Sequence, residues 1–176
     1  MALLPIRQYP DPVLRQRCRE VEAFDQALAE LARNMVETMH GAPGIGLAAP
    51  QVGVELRLAV VDLSVGEDPD ALITLINPVL VEREGLDVET EGCLSIPDLS
   101  EKVVRPERVR VAARSLSGDP FELETEGLLA RAIQHEIDHL DGVLFVDRLK
   151  GLRRERAKRH LRRLVQESEA GTAAQG

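Results

Sequence analysis

Every stretch of this chain that reads as strand lies between residues 56 and 125, and every long helical pattern lies outside it. Leu56 to Leu63, Ile73 to Val81, Val103 to Ala113 and Phe121 to Thr125 are rich in β-branched residues. They are separated by Gly66, Pro69, Gly85 and Gly118-Asp119, residues that punctuate strands. Val109, Val111 and Ala113 alternate with Arg108, Arg110 and Ala112, the pattern of a strand with one wet face. Before this block, Leu28, Leu31, Ala32, Met35 and Met39 recur at helical spacing behind Asp25, a good N-cap. After it, a second helix is predicted from about Glu126 to Leu140, with Leu129, Ile133 and Leu140 on one stripe. A third covers about Leu149 to Ser168, and a short turn at Asp11–Arg17 has Pro12 in the first helical position. That order argues against alternating βαβ units. It predicts an α+β domain of mostly antiparallel sheets around a central helix, with an N-terminal and a C-terminal helix. One domain is expected over residues 1–168, with 149–168 as its last helix and 169–176 as a disordered tail of small and polar residues.

Composition narrows what such a domain can do. Apolar residues make up 44% of the 176, enough for a core, but Tyr9, Phe24, Phe121 and Phe145 are the only aromatic rings. The core is therefore aliphatic, and a surface that binds nucleic acid by stacking bases is disfavoured. Cys18 and Cys93 cannot form a disulfide framework, no apolar run approaches a membrane span, and MALLPIRQYP does not read as a signal peptide. A cytoplasmic protein is expected. Charge is uneven. Residues 1–147 hold 13 Lys/Arg against 27 Asp/Glu, whereas residues 148–163 hold nine Lys/Arg against Glu155 alone. The basic end either meets something anionic or is a solvated helix face. Within it, Leu152, Leu161, Leu164 and Val165 form the apolar stripe that would dock the last helix.

The sharpest local signal is Gln134-His135-Glu136-Ile137-Asp138-His139. Residues four apart on a helix lie one turn above each other, so both imidazoles can reach one metal ion. Glu136, beside the first of them, can hold an activated water as general base. A catalytic metal needs a third protein ligand and an open position. Downstream, His160 sits in the basic helix, and Asp141 and Asp147 have no recognisable spacing. Upstream, Glu91-Gly92-Cys93-Leu94-Ser95 makes Cys93 the best candidate for the third ligand. His40 and His160 lack sequence partners and are expected in surface or core roles. The third feature is Gly44-Ile45-Gly46-Leu47-Ala48-Ala49-Pro50-Gln51, whose small residues allow close approach of backbone to a ligand or another segment.

In this order the three motifs resemble the peptide deformylases. The likeness extends from Tyr-Pro-Asp-Pro-Val-Leu at residues 9–14, through Ile-Asn-Pro at 76–78, to Gly-Val-Leu-Phe at 142–145. The short chain and helical C-terminus look like the bacterial type. The resemblance implies that Cys93, His135 and His139 ligate one divalent metal, Fe²⁺ in nature, with Zn²⁺, Ni²⁺ or Co²⁺ able to substitute. It implies that Glu136 is general base and then acid, and that the Gln51 side chain and the Leu94 backbone N–H stabilise the oxyanion. The reaction would remove the formyl group from the N-terminal methionine of a nascent chain and release formate. Gly44, Ile45 and Gly46 would run beside the peptide, Leu128 and Ala132 would line the methionine pocket, and Glu91 would sit near its mouth. Ser100 stands where the family often carries Arg, and Asp98 where it often carries Gly, so the peptide's later residues meet a different surface here. The family also points to a monomer, and to ribosome contact through the basic C-terminal helix.

Two other classes share part of this pattern. An ordinary zinc peptidase would use His135, Glu136 and His139 but would need neither Cys93 nor Gln51. A non-enzymatic RNA- or ribosome-binding module with a structural metal would need a fourth ligand, and Cys18 is the only spare cysteine.

Overall fold

The structure is a computed structural model and describes residues 2–174. Among these residues seven strands form two antiparallel sheets: β1 (Gly46–Ala48), β2 (Leu58–Val61), β3 (Ile73–Glu84), β4 (Asp87–Cys93), β5 (Ile96–Arg105), β6 (Arg108–Arg114) and β7 (Pro120–Glu126). The larger sheet has the order β1-β2-β3-β6-β7, and β4 with β5 makes a separate two-stranded sheet. Three helices complete the α+β fold: α1 (Gln26–Gly41), α2 (Gly127–Leu140) and α3 (Gly151–Ala174). No helix among the described residues is long and apolar enough to cross a membrane.

β2 explains the layering. All four of its residues are fully buried, so it has no wet face. Leu58 and Val60 pack with Leu28, Ala32, Met35 and Met39 of α1, while Val61 packs with Ala130, Ile133 and Ile137 of α2. Period-two alternation thus directs successive side chains to helices on opposite faces of one sheet. Each buried aliphatic side chain contributes about 1.5–3 kcal/mol. Asp25 caps α1 as expected, its carboxylate accepting from Leu28 N at 3.0 Å. Asp11 likewise accepts from Val13 N at the start of a single 3₁₀ turn, Pro12–Arg15.

Several expectations need correction. The Val103–Ala113 run is the end of β5 and the whole of β6, divided at Pro106-Glu107. The segment that carries the Glu91–Ser95 motif, not among the predicted strands, belongs to the β4–β5 hairpin. Asn77, with φ of 51°, breaks the register of β3 with β6 and bonds Val21 through both ends of its carboxamide. α3 continues to Ala174, beyond the predicted end at Ser168. Ala170, Ala173 and Ala174 are strong helix formers, and the last two residues of the predicted tail, 175 and 176, lie outside the described ones. Leu152 is 82% exposed and takes no part in docking α3. That helix is seated by Leu161 and Leu164 of the predicted stripe, joined by Ala157, against Leu14, Ile96 and Phe145, with buried His160 bonded to Pro97 O at 2.8 Å.

Candidate active site

α2 lies between the two sheets, which is why ten of its fourteen residues are buried although many are polar. Ala130, Ile133 and Ile137 face the large sheet. Arg131 and His135 instead meet Glu91 on β4, and Asp138 meets Arg105 on β5. Gly142, with φ of 75°, ends the helix, and a Cβ there would lie 2.5 Å from Arg15 O.

The ring centroids of His135 and His139 are 4.9 Å apart, as one helical turn requires. Cys93, the last residue of β4, enters from the other sheet, with Sγ 3.3 Å from His139 Nε2. One ligating atom from each of Cys93, His135 and His139 lies within 4.8 Å of the other two. His135 Nδ1 is 2.9 Å from Glu91 Oε1, leaving Nε2 for another partner. Gln51, on the 3₁₀ turn Ala49–Val52, is buried. Its Oε1 accepts from Ala48 N at 2.9 Å, and its Nε2 donates to Ser95 Oγ at 3.1 Å and reaches Cys93 Sγ at 3.6 Å. The carboxamide is thereby oriented, with its N–H groups toward the thiol.

Electrostatics differ from group to group. Burial pushes the Glu136 carboxyl up to about 7, with Glu91 and Asp138 adding to the rise against His135 and Arg105. An acid with that value can both take and give a proton near neutrality. Burial opposes the charged form of His135, yet Cys93, Glu91 and Glu136 together hold it well above the usual range. The field at this point therefore favours positive charge. Burial and the neighbouring His135 push His139 well below its usual range. For Glu91, burial is outweighed by hydrogen bonds from His135 and Arg105, and its carboxyl falls to about 2. Cys18, in contrast, is a buried thiol pushed up to about 11 by desolvation, packed among Ala48, Ala59 and Leu140.

A cavity of about 490 Å³ opens here, lined by Gly44, Ile45, Gly46, Gln51, Glu91, Cys93, Leu94, Leu128, Ala132, His135 and Glu136. Of the predicted site residues only His139 lies behind this surface, at 1% exposure. Glu91 is no free carboxylate at the mouth: both oxygens are taken by Arg105, Arg131 and His135. Gly46 stands where a Cβ would be 2.5 Å from Glu136 Oε1, so this position tolerates no side chain without moving that carboxylate. A larger cleft, about 630 Å³, opens on the other side of α2. Three of its arginines are already paired there, Arg57 with Asp141, and Arg105 and Arg148 with Asp138.

Sequence reasoning did not find Arg105, Arg131, Asp138 or Ser95. Arg131 gave one signal: a cation one turn before His135 in an otherwise apolar stretch needs a buried partner. His40 and His160 have non-ligating places, bonded to Asp62 and to Pro97 O respectively.

The family described as Polypeptide deformylase matches residues 3–155. A peptide deformylase of Acidobacterium capsulatum is 52% identical over 169 residues, covering 96% of this chain and 99% of that protein. A crystal structure of a peptide deformylase from Legionella pneumophila superposes with a TM-score of 0.86 at 44% identity, over 95% of this chain and 98% of the other. A plant peptide deformylase structure gives a TM-score of 0.93 at 37% identity, over 97% and 93%.

Proposed function

This chain belongs to the peptide deformylase family, and on that premise we propose that Cys93, His135 and His139 hold its metal while Glu136 moves the protons of the reaction. It is a hydrolase that removes the N-formyl group from the N-terminal methionine of newly synthesised proteins and releases formate.

The residues present fit a metal. A thiol and two imidazoles offer three ligating atoms within one small volume. On the same helix Glu136 Oε2 is buried with no hydrogen-bond partner among the described residues, an orphaned acceptor. A thiolate with two imidazoles suits a borderline divalent ion, and Fe²⁺ is the one we propose, with Zn²⁺, Ni²⁺ or Co²⁺ able to replace it. When bound, the metal supplies the Lewis acidity that makes water a nucleophile near neutral pH.

The chain's own groups do the rest. Glu136 takes the proton from the attacking water as its oxygen bonds to the formyl carbon. The carbonyl oxygen, now negative, receives hydrogen bonds from Gln51 Nε2 and the Leu94 backbone N–H, donors fixed before the reaction begins. Glu136 then gives its proton to the departing amide nitrogen, the C–N bond breaks, and formate and a free amino terminus result. Glu91 accepts from His135 Nδ1 and so fixes the tautomer that leaves Nε2 for the metal. Gly44, Ile45 and Gly46 lie at the free edge of β1, where an extended peptide can add as a further strand. Leu128 and Ala132, on the α2 face that carries His135, receive the methionine side chain.

For partners beyond the nascent peptide, we propose the ribosome. α3 docks through Ala157, Leu161 and Leu164, and Arg154, Lys158, Arg159, Arg162 and Arg163 remain exposed. Such a face suits phosphate, and the attraction would weaken with salt. A cytoplasmic monomer completes this reading.

The observation that carries the proposal is the meeting of Cys93, His135 and His139 at the wall of the cavity that Glu136 and Gln51 also line, with His139 just behind its surface. Its test is formate release from formyl-Met-Ala-Ser by protein prepared without air, with cleavage of internal peptide bonds followed in parallel. Formate with an intact tripeptide is the expected result. Internal cleavage without formate would place the chain with the zinc peptidases.

A further inference from the structure

Beyond the formyl-methionine, a substrate in this cavity meets few ionised groups. Glu91 and Arg131 line it, but both are buried and bonded to each other. Glu136 lies within and is 4% exposed. Asp98 differs from all three. It is exposed on the lining of the same cavity, and no cation pairs with it among the described residues. The β4–β5 ladder is interrupted beside it: Cys93 faces Ile96 and Gly92 faces Ser100, so residues 97–99 bulge out of the hairpin. Its φ of 63° belongs to that bulge and is a conformation Asp tolerates better than most residues.

The surroundings do not neutralise it. Thr90 and Ser100, exposed on the same lining, are uncharged, and Leu128, 57% exposed, is apolar. Gly44, Ile45 and Gly46 offer only backbone polarity. A peptide laid along β1 with its methionine inward would carry its next residues past a wall whose one uncompensated charge is negative. The surrounding body, with 27 acids against 13 bases in residues 1–147, has the same sign.

We propose that Asp98 sets the sequence preference of this deformylase, favouring formyl-methionyl chains with Lys or Arg in the second or third position. The inference rests on the deformylase reading and adds to it a class of substrate. An exposed charge pair changes affinity by up to about fivefold. Attraction of Lys and repulsion of Glu together give roughly three- to tenfold between otherwise identical peptides. Asp98 is not among the groups assigned to the reacting centre, so the difference belongs in KM, with kcat shared by all peptides.

The test uses metal-loaded protein and C-terminally amidated formyl-Met-Lys-Ala, formyl-Met-Ala-Lys and their Glu counterparts. At about 20 mM salt, at least one Lys peptide should exceed its Glu counterpart in kcat/KM by roughly three- to tenfold, and about 0.5 M salt should abolish most of the difference. Asp98→Asn should bring the two within about twofold. Asp70→Asn, which removes the same charge from the exposed 3₁₀ turn Pro69–Ala71, should keep the parent ratio. Equal kcat/KM for Lys and Glu peptides with the parent protein would overturn the inference. So would a preference that survives Asp98→Asn, which would assign it to the field of the whole body. No formate from any peptide would instead overturn the deformylase reading, and this inference with it.

Discussion

Gly46→Ala tests whether the position of Glu136 is set by the strand packed against it. The added Cβ would lie 2.5 Å from Oε1, 3.0 Å from Cδ and 3.1 Å from Cγ of Glu136. Ordinary contact begins near 3.4 Å, so the carboxylate must retreat by about 1 Å, or β1 must. β1 is held in register against fully buried β2, with Gly46 opposite Val61 and Leu47 opposite Val60. Glu136, with one carboxylate oxygen unpartnered, is the softer of the two. A misplacement of 1 Å at a catalytic group costs on the order of 10²-fold in rate. We therefore expect Gly46→Ala to bind its metal at the parent level and to lose roughly 10–100-fold in kcat on formyl-Met-Ala-Ser. The control is Gly44→Ala, whose Cβ would meet the tip of Leu94, 2.9 Å away, which can swing aside. Steady-state formate release with metal analysis of the same samples reads both outcomes. Parent kcat in Gly46→Ala would refute the argument, and a rise in KM alone would show that the methyl group obstructs the peptide and leaves the base in place.

Glu91→Gln removes the charge that holds Arg105, Arg131 and His135 together. A carboxyl held near 2 instead of 4.5 favours the folded chain by about 3 kcal/mol when ionised. Because the folded value is the lower one, this stability is complete above about pH 4.5 and disappears as pH falls toward 2. Urea unfolding in excess chelator should show a gap between parent and variant that is largest at neutral pH and closes over that range; a constant gap would contradict it. Gln51→Leu should keep the metal and a similar KM while lowering kcat by about 10²-fold, as for loss of an oxyanion donor. Cys93→Ala should lose the metal, since two imidazoles leave the set incomplete, and stoichiometric retention would identify a different third ligand.

What could be read in advance follows from how far apart the cooperating residues lie. α1 was legible to its capping residue, because Asp25 and the Leu28–Met39 stripe fall within one short window. The helical placement of His135 and His139 was legible for the same reason. β4 was not: Asp87-Val88-Glu89-Thr90-Glu91 has no apolar face, because its one buried member, Glu91, is satisfied by arginines 14 and 40 residues away. The buried polar side of α2 escaped in the same way, its partners Glu91 and Arg105 belonging to another sheet. Pro106 did mark the break between β5 and β6, since its ring has no N–H for a ladder, but the valines around it dominated the pattern. For α3, Leu161 and Leu164 of the predicted stripe do dock, whereas only contact with Ile96 and Phe145 shows that Ala157 joins them and Leu152 does not.

The central proposal is that Glu136 moves the protons beside the Cys93, His135 and His139 ligand set. Glu136→Gln preserves shape and leaves the three ligands untouched, so metal content and formate release measured on one air-free preparation separate structure from chemistry. Parent-level metal with kcat reduced by roughly 10²–10⁴-fold is the expected result. Deformylation at close to the parent rate, with the metal in place, would contradict it.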